Sequence, residues 1–189
     1  AALLAPVFCN DLGIAKGLWY SLFHSISAFC NAGFDLFGIK EPFSSLTFYH
    51  SNIYLNIIIM LLIITGGIGF LVWGDIGTHK HRIRRYSLQS KVVLMTSAVL
   101  IVLPALYFFF FEYDHETIHD RTIHSLFQSV TTRTAGFNTT DLAAMDESGT
   151  AIMVILMLIG GSPGSTAGGM KTATFAVLFL SCLLYTSDA

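Results

Sequence analysis

Three long apolar runs without a charged side chain set the strongest limit on how this chain can fold. They are Ile53–Trp73, Val92–Phe111 and Ser148–Met170, with 21, 20 and 23 residues. A helix that crosses a membrane needs about 20 such residues, because lipid offers no hydrogen-bond partner to an unpaired backbone group. Only 12% of the residues are charged, against about 25% in a soluble domain. The runs therefore predict an all-α polytopic membrane protein.

Basic residues are concentrated between the first two runs, in segment 75–91. Residues 80–91 hold five of the ten Lys and Arg residues, and the positive-inside rule places such a loop in the cytoplasm. The connections at 112–120 and 141–147 are acidic and are expected on the outer side. We expect a multi-pass protein of the cell membrane, in contact with the lipid bilayer. The net charge of −2 argues against a nucleic-acid partner.

A short polar segment occurs twice in the chain. Residues 25–35 resemble residues 129–138 with a one-residue gap, and both copies end in Ala-Gly-Phe followed by Asp or Asn. Each copy follows a stretch compatible with a short helix, 15–29 or 118–131, and each precedes an apolar run. Two unrelated tight turns are the plainer explanation for one such segment. Two copies at matched positions favour a repeated unit of helix, pore loop and helix.

The glycine turns of these segments suit an ion filter. A filter replaces the hydration shell of an ion with backbone carbonyls, and Gly adopts the positive φ that such a turn requires. The short helix before each turn would direct its partial negative charge toward a cation. Arg133 precedes the second turn, and we expect it to point away from the ion path and to brace the loop. The residues of the two turns are Asn31, Ala32, Gly33, Phe34, Thr134, Ala135, Gly136 and Phe137.

The third apolar run is interrupted by glycines and a proline. Gly costs about 1 kcal/mol and Pro about 3 kcal/mol in a helix interior, so the run predicts two half-helices, Ala151–Ile159 and Lys171–Tyr185. The loop between them would lie at membrane depth, where it could obstruct an ion path. Lys171 could hold this loop closed by donating to carbonyls, or it could extend to the cytoplasmic interface. The predicted loop residues are Gly160, Gly161, Ser162, Pro163, Gly164, Ser165, Thr166, Ala167, Gly168, Gly169 and Lys171.

Three stretches, 27–35, 132–139 and 160–172, resemble the Trk/Ktr/HKT superfamily of potassium transporters, and most closely the bacterial Ktr or Trk membrane subunit. The resemblance implies four helix–pore loop–helix repeats around one pore. Residues 1–74 would be the second repeat, 75–91 the cytoplasmic loop, 92–185 the third repeat and 186–189 a truncated end. It identifies the two turns as filter and residues 160–171 as the gating loop.

The same resemblance implies a transporter, not an enzyme, that passes potassium, with sodium as a second candidate ion, and that needs no cofactor or other metal. It also implies a homodimer that associates with a cytosolic nucleotide-binding regulatory subunit. The residues themselves leave the ion selectivity open.

Two other functions are compatible with parts of the sequence. His115-Glu116-x-x-His119 matches the helical zinc-protease motif H-E-x-x-H, in which two His ligands and a general base share one helix. The pattern is short, so it predicts a membrane-embedded zinc metalloprotease only weakly. The second alternative is a two-pore-loop cation channel whose subunits pair to supply four loops.

Overall fold

A computed structural model describes residues 1–39, 42, 44–80 and 82–187 of the chain. His81 of the basic loop and residues 188–189 of the predicted end segment lie outside the described residues. Within the described residues the fold is helical, with one isolated β-bridge between Ile159 and Met170, so the all-α prediction is confirmed. The helices are α1 (Ala5–Leu12), α2 (Ile14–Phe29), α3 (Ile53–Ile68), α4 (Phe70–His79), α5 (Leu88–Tyr107), α6 (Ile118–Thr131), α7 (Glu147–Leu158) and α8 (Thr172–Ser187).

Helices α2 and α6 occupy the two positions at which the sequence predicts short helices before the glycine turns. Helix α2 follows Gly13, whose φ is 80°, and it packs closely on α1. A Cβ at Gly17 would lie 2.4 Å from the Cα of Cys9, so this crossing requires glycine. Helix α6 begins at the Thr117 cap, whose side chain accepts a hydrogen bond from the Asp120 amide. Both helices end directly before their glycine turns, as the sequence predicts.

The second apolar run forms a continuous helix. Helix α5 extends through a π-helical turn, Phe108–Glu112, and the combined segment of 25 residues is long and apolar enough to cross a membrane. The α3–α4 pair passes the same test only when it is taken as one span, bent by 94°. The remaining apolar helices α7 and α8 are shorter than a full span.

The predicted span Ile53–Trp73 is wrong as a single helix. Helix α3 ends at Ile68, because Gly69 takes a φ of 93° and α4 leaves in a new direction. A Cβ at Gly69 would lie 2.4 Å from the Ser162 hydroxyl and 2.8 Å from the Pro163 carbonyl. The chain therefore turns where a distant loop packs against it.

The third run divides into two half-helices, which confirms the predicted break. They are α7 and α8, with ends at most four residues from the predicted ones. Two apolar clusters hold the helices together. One lies among α1, α2, α3 and α6 and includes Phe8, Phe37, Phe127 and Phe137. The other joins the end of α5 to α7 through Phe108, Met153 and Leu156.

Candidate ion filter and gating loop

The two glycine turns share an alternating backbone conformation. In the first turn φ is 50° at Asn31 and 71° at Gly33, and in the second turn φ is 68° at Thr134 and 80° at Gly136. Residues with side chains rarely adopt positive φ, so the match at two positions in each turn is specific. The internal repeat seen in the sequence therefore extends to the backbone torsions.

A hydroxyl group on each pore helix braces its own turn. The Ser27 hydroxyl donates to the Phe34 carbonyl at 2.7 Å, and the Thr131 hydroxyl donates to the Phe137 carbonyl at 2.7 Å. The backbone carbonyls of these two residues accept amides of the turns as well. The Ala32 amide donates to the Ser27 carbonyl at 2.9 Å, and the Ala135 amide donates to the Thr131 carbonyl at 3.0 Å. Ser27 and Thr131 are thus structural equivalents, and the one-residue gap lies between them and the Ala-Gly-Phe sequence.

The carbonyls at the centre of each turn take no part in this bracing. Within the described part of the chain, the carbonyls of residues 31–33 and 134–136 accept no hydrogen bond. A carbonyl without an internal partner is available to a ligand or to water, and several in succession are what cation coordination requires. These carbonyls are therefore free to bind a ligand or water, as the predicted filter requires.

The two turns lie against each other. A Cβ placed on Gly33 would lie 2.3 Å from the carbonyl oxygen of Ala135 and 3.0 Å from the Cα of Gly136. At Gly136 the nearest atom would be the Cα of Gly33 at 3.6 Å, which is ordinary contact. Glycine is therefore required at position 33 by space as well as by φ, and at position 136 by φ alone.

The segment after the first turn is hydrogen-bonded to the segment that follows the second turn. The Leu46 amide donates to the Asn138 carbonyl at 2.9 Å, and the Asn138 amide donates to the Ser45 hydroxyl at 3.1 Å. Asn138 directly follows Phe137, which is fully buried. The two repeats are consequently joined at Asn138 as well as at the glycines.

The predicted gating loop packs against the end of α3. The Ser162 amide donates to the Gly67 carbonyl at 3.0 Å, and the Thr166 amide donates to the Gly66 carbonyl at 3.3 Å. The Ser162 hydroxyl also donates to the Ile68 carbonyl. The last carbonyls of a helix have no partner within the helix, so this loop supplies the C-terminal cap of α3.

The same loop reaches the end of α2. The Thr166 hydroxyl donates to the Phe29 carbonyl at 2.8 Å, where α2 ends. At the opposite end of the loop, Gly169 approaches the second turn, since a Cβ there would lie 3.3 Å from the Thr134 methyl group. Lys171 donates to the Ala167 carbonyl at 2.8 Å, as one of its two predicted placements requires.

Arg133 directly precedes the second turn and is buried, with 8% of the residue exposed. Its guanidinium lies 3.4 Å from both the Gly160 carbonyl and the Ser97 hydroxyl. The side chain therefore contacts the start of the gating loop, which agrees with the predicted bracing role. No carboxylate lies within 4 Å of it among the described residues.

The zinc-protease motif does not form the site that its chemistry needs. Helix α6 begins at Ile118, so His115 precedes the helix and does not share a helical face with His119. Glu116 accepts from the Nδ1 of His124 at 2.7 Å when this nitrogen is protonated. In the described ranges no group of three His, Cys, Asp or Glu residues is placed to hold a metal ion. Nearby, burial raises the pKa of Tyr113 to about 12.

Sequence reasoning did not identify the hydroxyl groups that hold these loops. Ser27 and Thr131 precede the two Ala-Gly-Phe sequences by five and four residues, a spacing that could have indicated them. Ser162 and Thr166 were assigned to the gating loop, but their partners at the ends of α2 and α3 could not be read from the sequence.

Comparison with known proteins gives a consistent result. Residues 6–188 match the family described as TrkH, cation transport protein. The chain is 42% identical over 185 residues to a potassium/sodium uptake protein, NtpJ, of Enterococcus hirae, covering 95% of this chain and 40% of that protein. It is 40% identical over 191 residues to the Ktr system potassium uptake protein B of Bacillus subtilis, covering 98% of this chain and 42% of that protein.

A solved structure shows the same fold. The potassium transporter TrkH from Vibrio parahaemolyticus matches with a TM-score of 0.69 and 21% identity, over 98% of this chain and 46% of that one. The chain thus spans about two fifths of the length of the relatives that it matches.

Proposed function

Because this chain belongs to the TrkH family of cation transport proteins, we propose that it forms part of a membrane transporter that passes potassium. Sodium is the second candidate ion. Membership of this family makes the chain a multi-pass protein of the cell membrane. The family is one of cation transporters, not of enzymes.

The observation that carries the proposal is the pair of matched turns. Each turn has two positive φ angles, a braced Phe carbonyl and three central carbonyls that accept no hydrogen bond from the described residues. Two adjoining turns of this kind supply part of a ring of oxygens. The relatives are more than twice as long as this chain, and this length favours an assembly of four repeats rather than a two-pore-loop channel. In this proposal residues 31–34 and 134–137 contribute the filter.

Residues 160–171 are proposed as the gate. The loop contacts the ends of α2 and α3 and the second turn, and these contacts support a position beside the path of an ion that leaves the turns. Its hydrogen bonds can be exchanged for water, since most of them involve single hydroxyl or amide groups. A loop of this kind can adopt closed and open forms that a regulator could shift.

The transport function is tested with the full-length protein that contains this segment. Reconstituted into liposomes, it should take up potassium down an electrochemical gradient, and in a bacterial strain lacking potassium uptake it should restore growth at low potassium. Deleting Ser162–Ala167 should raise basal flux in protein that stays monodisperse. Absence of flux in wild-type protein would reject the transport function, whereas unchanged flux in a well-folded deletion variant would reject only the gate.

We also propose a homodimer that binds a cytosolic nucleotide-binding regulatory subunit. The basic loop supports this partner, because Arg82, Arg84 and Arg85 have no acidic partner within the described residues and lie on the predicted cytoplasmic side. Exchanging Arg84 and Arg85 for Glu should weaken co-purification of such a subunit without lowering the yield of the membrane protein. Mass measurement in detergent tests the dimer.

A further inference from the structure

Two buried polar side chains of the filter region each leave one atom without a partner. Arg133 is 8% exposed and Asn31 is 9% exposed. In the part of the chain that the structure describes, the Nε of Arg133 and the Oδ1 of Asn31 have no hydrogen bond. A buried polar atom left in this way costs about 1–3 kcal/mol, so a missing partner is expected at both atoms.

Both side chains line the same small cavity. Its volume is about 10 Å³, and its wall also includes Ile63, Gly67, Ile101 and Gly161. A cavity that holds one water molecule needs a volume of at least about 10–15 Å³. The cavity is therefore at the size of a single water and too small for a larger ligand.

We propose that this cavity binds one structural water molecule that bridges the two side chains. The Nε–H of Arg133 donates to the water, and the water donates to the Oδ1 of Asn31. Water fits both ends because it both accepts and donates. A cation would be repelled by the guanidinium, and an anion would face the amide oxygen, so neither satisfies both atoms.

The position of this water gives it a consequence for transport, a step that rests on the proposed function. Asn31 begins the first filter turn, Arg133 directly precedes the second turn, and the Arg133 guanidinium lies 3.4 Å from the Gly160 carbonyl at the start of the gating loop. The water therefore completes a polar connection between both turns and the gating loop. Arg133 acts as a positioning residue, since it holds the turns without touching the ion.

The water itself is tested by an experimental structure of the full-length protein at a resolution that shows ordered waters. Density for one water should lie within about 2.7–3.2 Å of both the Arg133 Nε and the Asn31 Oδ1. Direct contact between the two side chains, or a cavity without density, would overturn the proposal. This test needs no transport, so its failure is distinguishable from failure of the proposed function.

The coupling is tested by a double-mutant cycle on the K⁺/Na⁺ permeability ratio. Arg133→Lys removes the Nε donor but keeps the charge, and Asn31→Gly removes the acceptor while tolerating positive φ. The double variant should depart about threefold or more from the product of the single effects, as contacting residues do. Independent effects, with a departure below about twofold, would overturn the bridge.

A matched control cycle combines Asn31→Gly with Gln128→Met. Gln128 is buried on α6, five residues before Arg133, but its amide contacts the sulfur of Met153, away from the cavity. In the control cycle the two substitutions should have independent effects on the K⁺/Na⁺ permeability ratio. Equal coupling in both cycles would show a general loss of packing and would also overturn the proposal.

Discussion

The hydroxyl of Thr166 donates a 2.8 Å hydrogen bond to the backbone carbonyl of Phe29. Phe29 ends α2, and Thr166 lies in the glycine-rich loop between α7 and α8. A carbonyl at this position has no partner within its own helix and carries the negative end of the helix dipole. The gating loop therefore occupies, with a hydroxyl group, a position that could otherwise attract a cation.

This contact predicts that Thr166→Val will open the proposed gate more often. Valine keeps the shape of threonine but cannot donate, so the closed form loses about 0.5–1.5 kcal/mol. Basal potassium flux of the full-length protein in liposomes should rise about two- to tenfold. Thr186→Val is the matched control, because the Thr186 hydroxyl bonds only carbonyls of its own helix. Equal flux in wild-type and Thr166→Val protein would contradict the role of this hydrogen bond in closing the proposed gate.

The close approach of α3 to the end of α2 at Gly66 predicts that replacing this glycine will lower the stability of the protein. A Cβ at this residue would lie 1.8 Å from the Phe29 carbonyl oxygen, so Gly66→Ala must push α3 away from α2. Overpacking of this kind costs about 1–3 kcal/mol. The thermal midpoint in detergent should fall. Gly74→Ala meets no atom within 4 Å and should leave the midpoint unchanged or raise it, since alanine favours a helix. The same midpoint for both variants would reject the close crossing.

The hydroxyl braces of the turns predict a selectivity effect. Ser27→Ala and Thr131→Val each remove a donor to the Phe carbonyl of their own turn, so that carbonyl becomes free to reorient. The K⁺/Na⁺ permeability ratio should fall about two- to tenfold in each variant, in line with one hydrogen bond.

The control for this measurement is Ser129→Ala. Ser129 is fully buried on α6, but its hydroxyl donates to the Leu126 carbonyl within the same helix. The K⁺/Na⁺ permeability ratio of Ser129→Ala should match that of the wild-type protein. A fall of the same size in Ser129→Ala would attribute the effect to helix packing and not to the braces.

The helices before the turns were predictable because their signals are local. The ends of α2 and α6 follow from the glycine turns, and the break in the third run follows from five glycines and a proline within ten residues. Each signal raises the free energy of a continuous helix by more than local packing readily offsets.

The bend at Gly69 was not predictable in the same way. Gly66, Gly67 and Gly69 each cost only about 1 kcal/mol in a helix interior, and α3 continues through the first two. Here the helix ends because Ser162 and Pro163, more than 90 residues later, occupy the space beside Gly69. The partners of Thr166 and Arg133 likewise depend on how the two repeats meet, which the sequence pattern of either repeat does not contain.

The filter assignment is the central claim, and the K⁺/Na⁺ permeability ratio of full-length Gly33→Ser and Gly136→Ser proteins in liposomes tests it most directly. A side chain at positive φ costs about 1–3 kcal/mol, and at residue 33 it also meets the Ala135 carbonyl. The account predicts a ratio at least about tenfold lower for Gly33→Ser and a smaller fall for Gly136→Ser. Wild-type flux and selectivity in both variants, in well-folded protein, would contradict it.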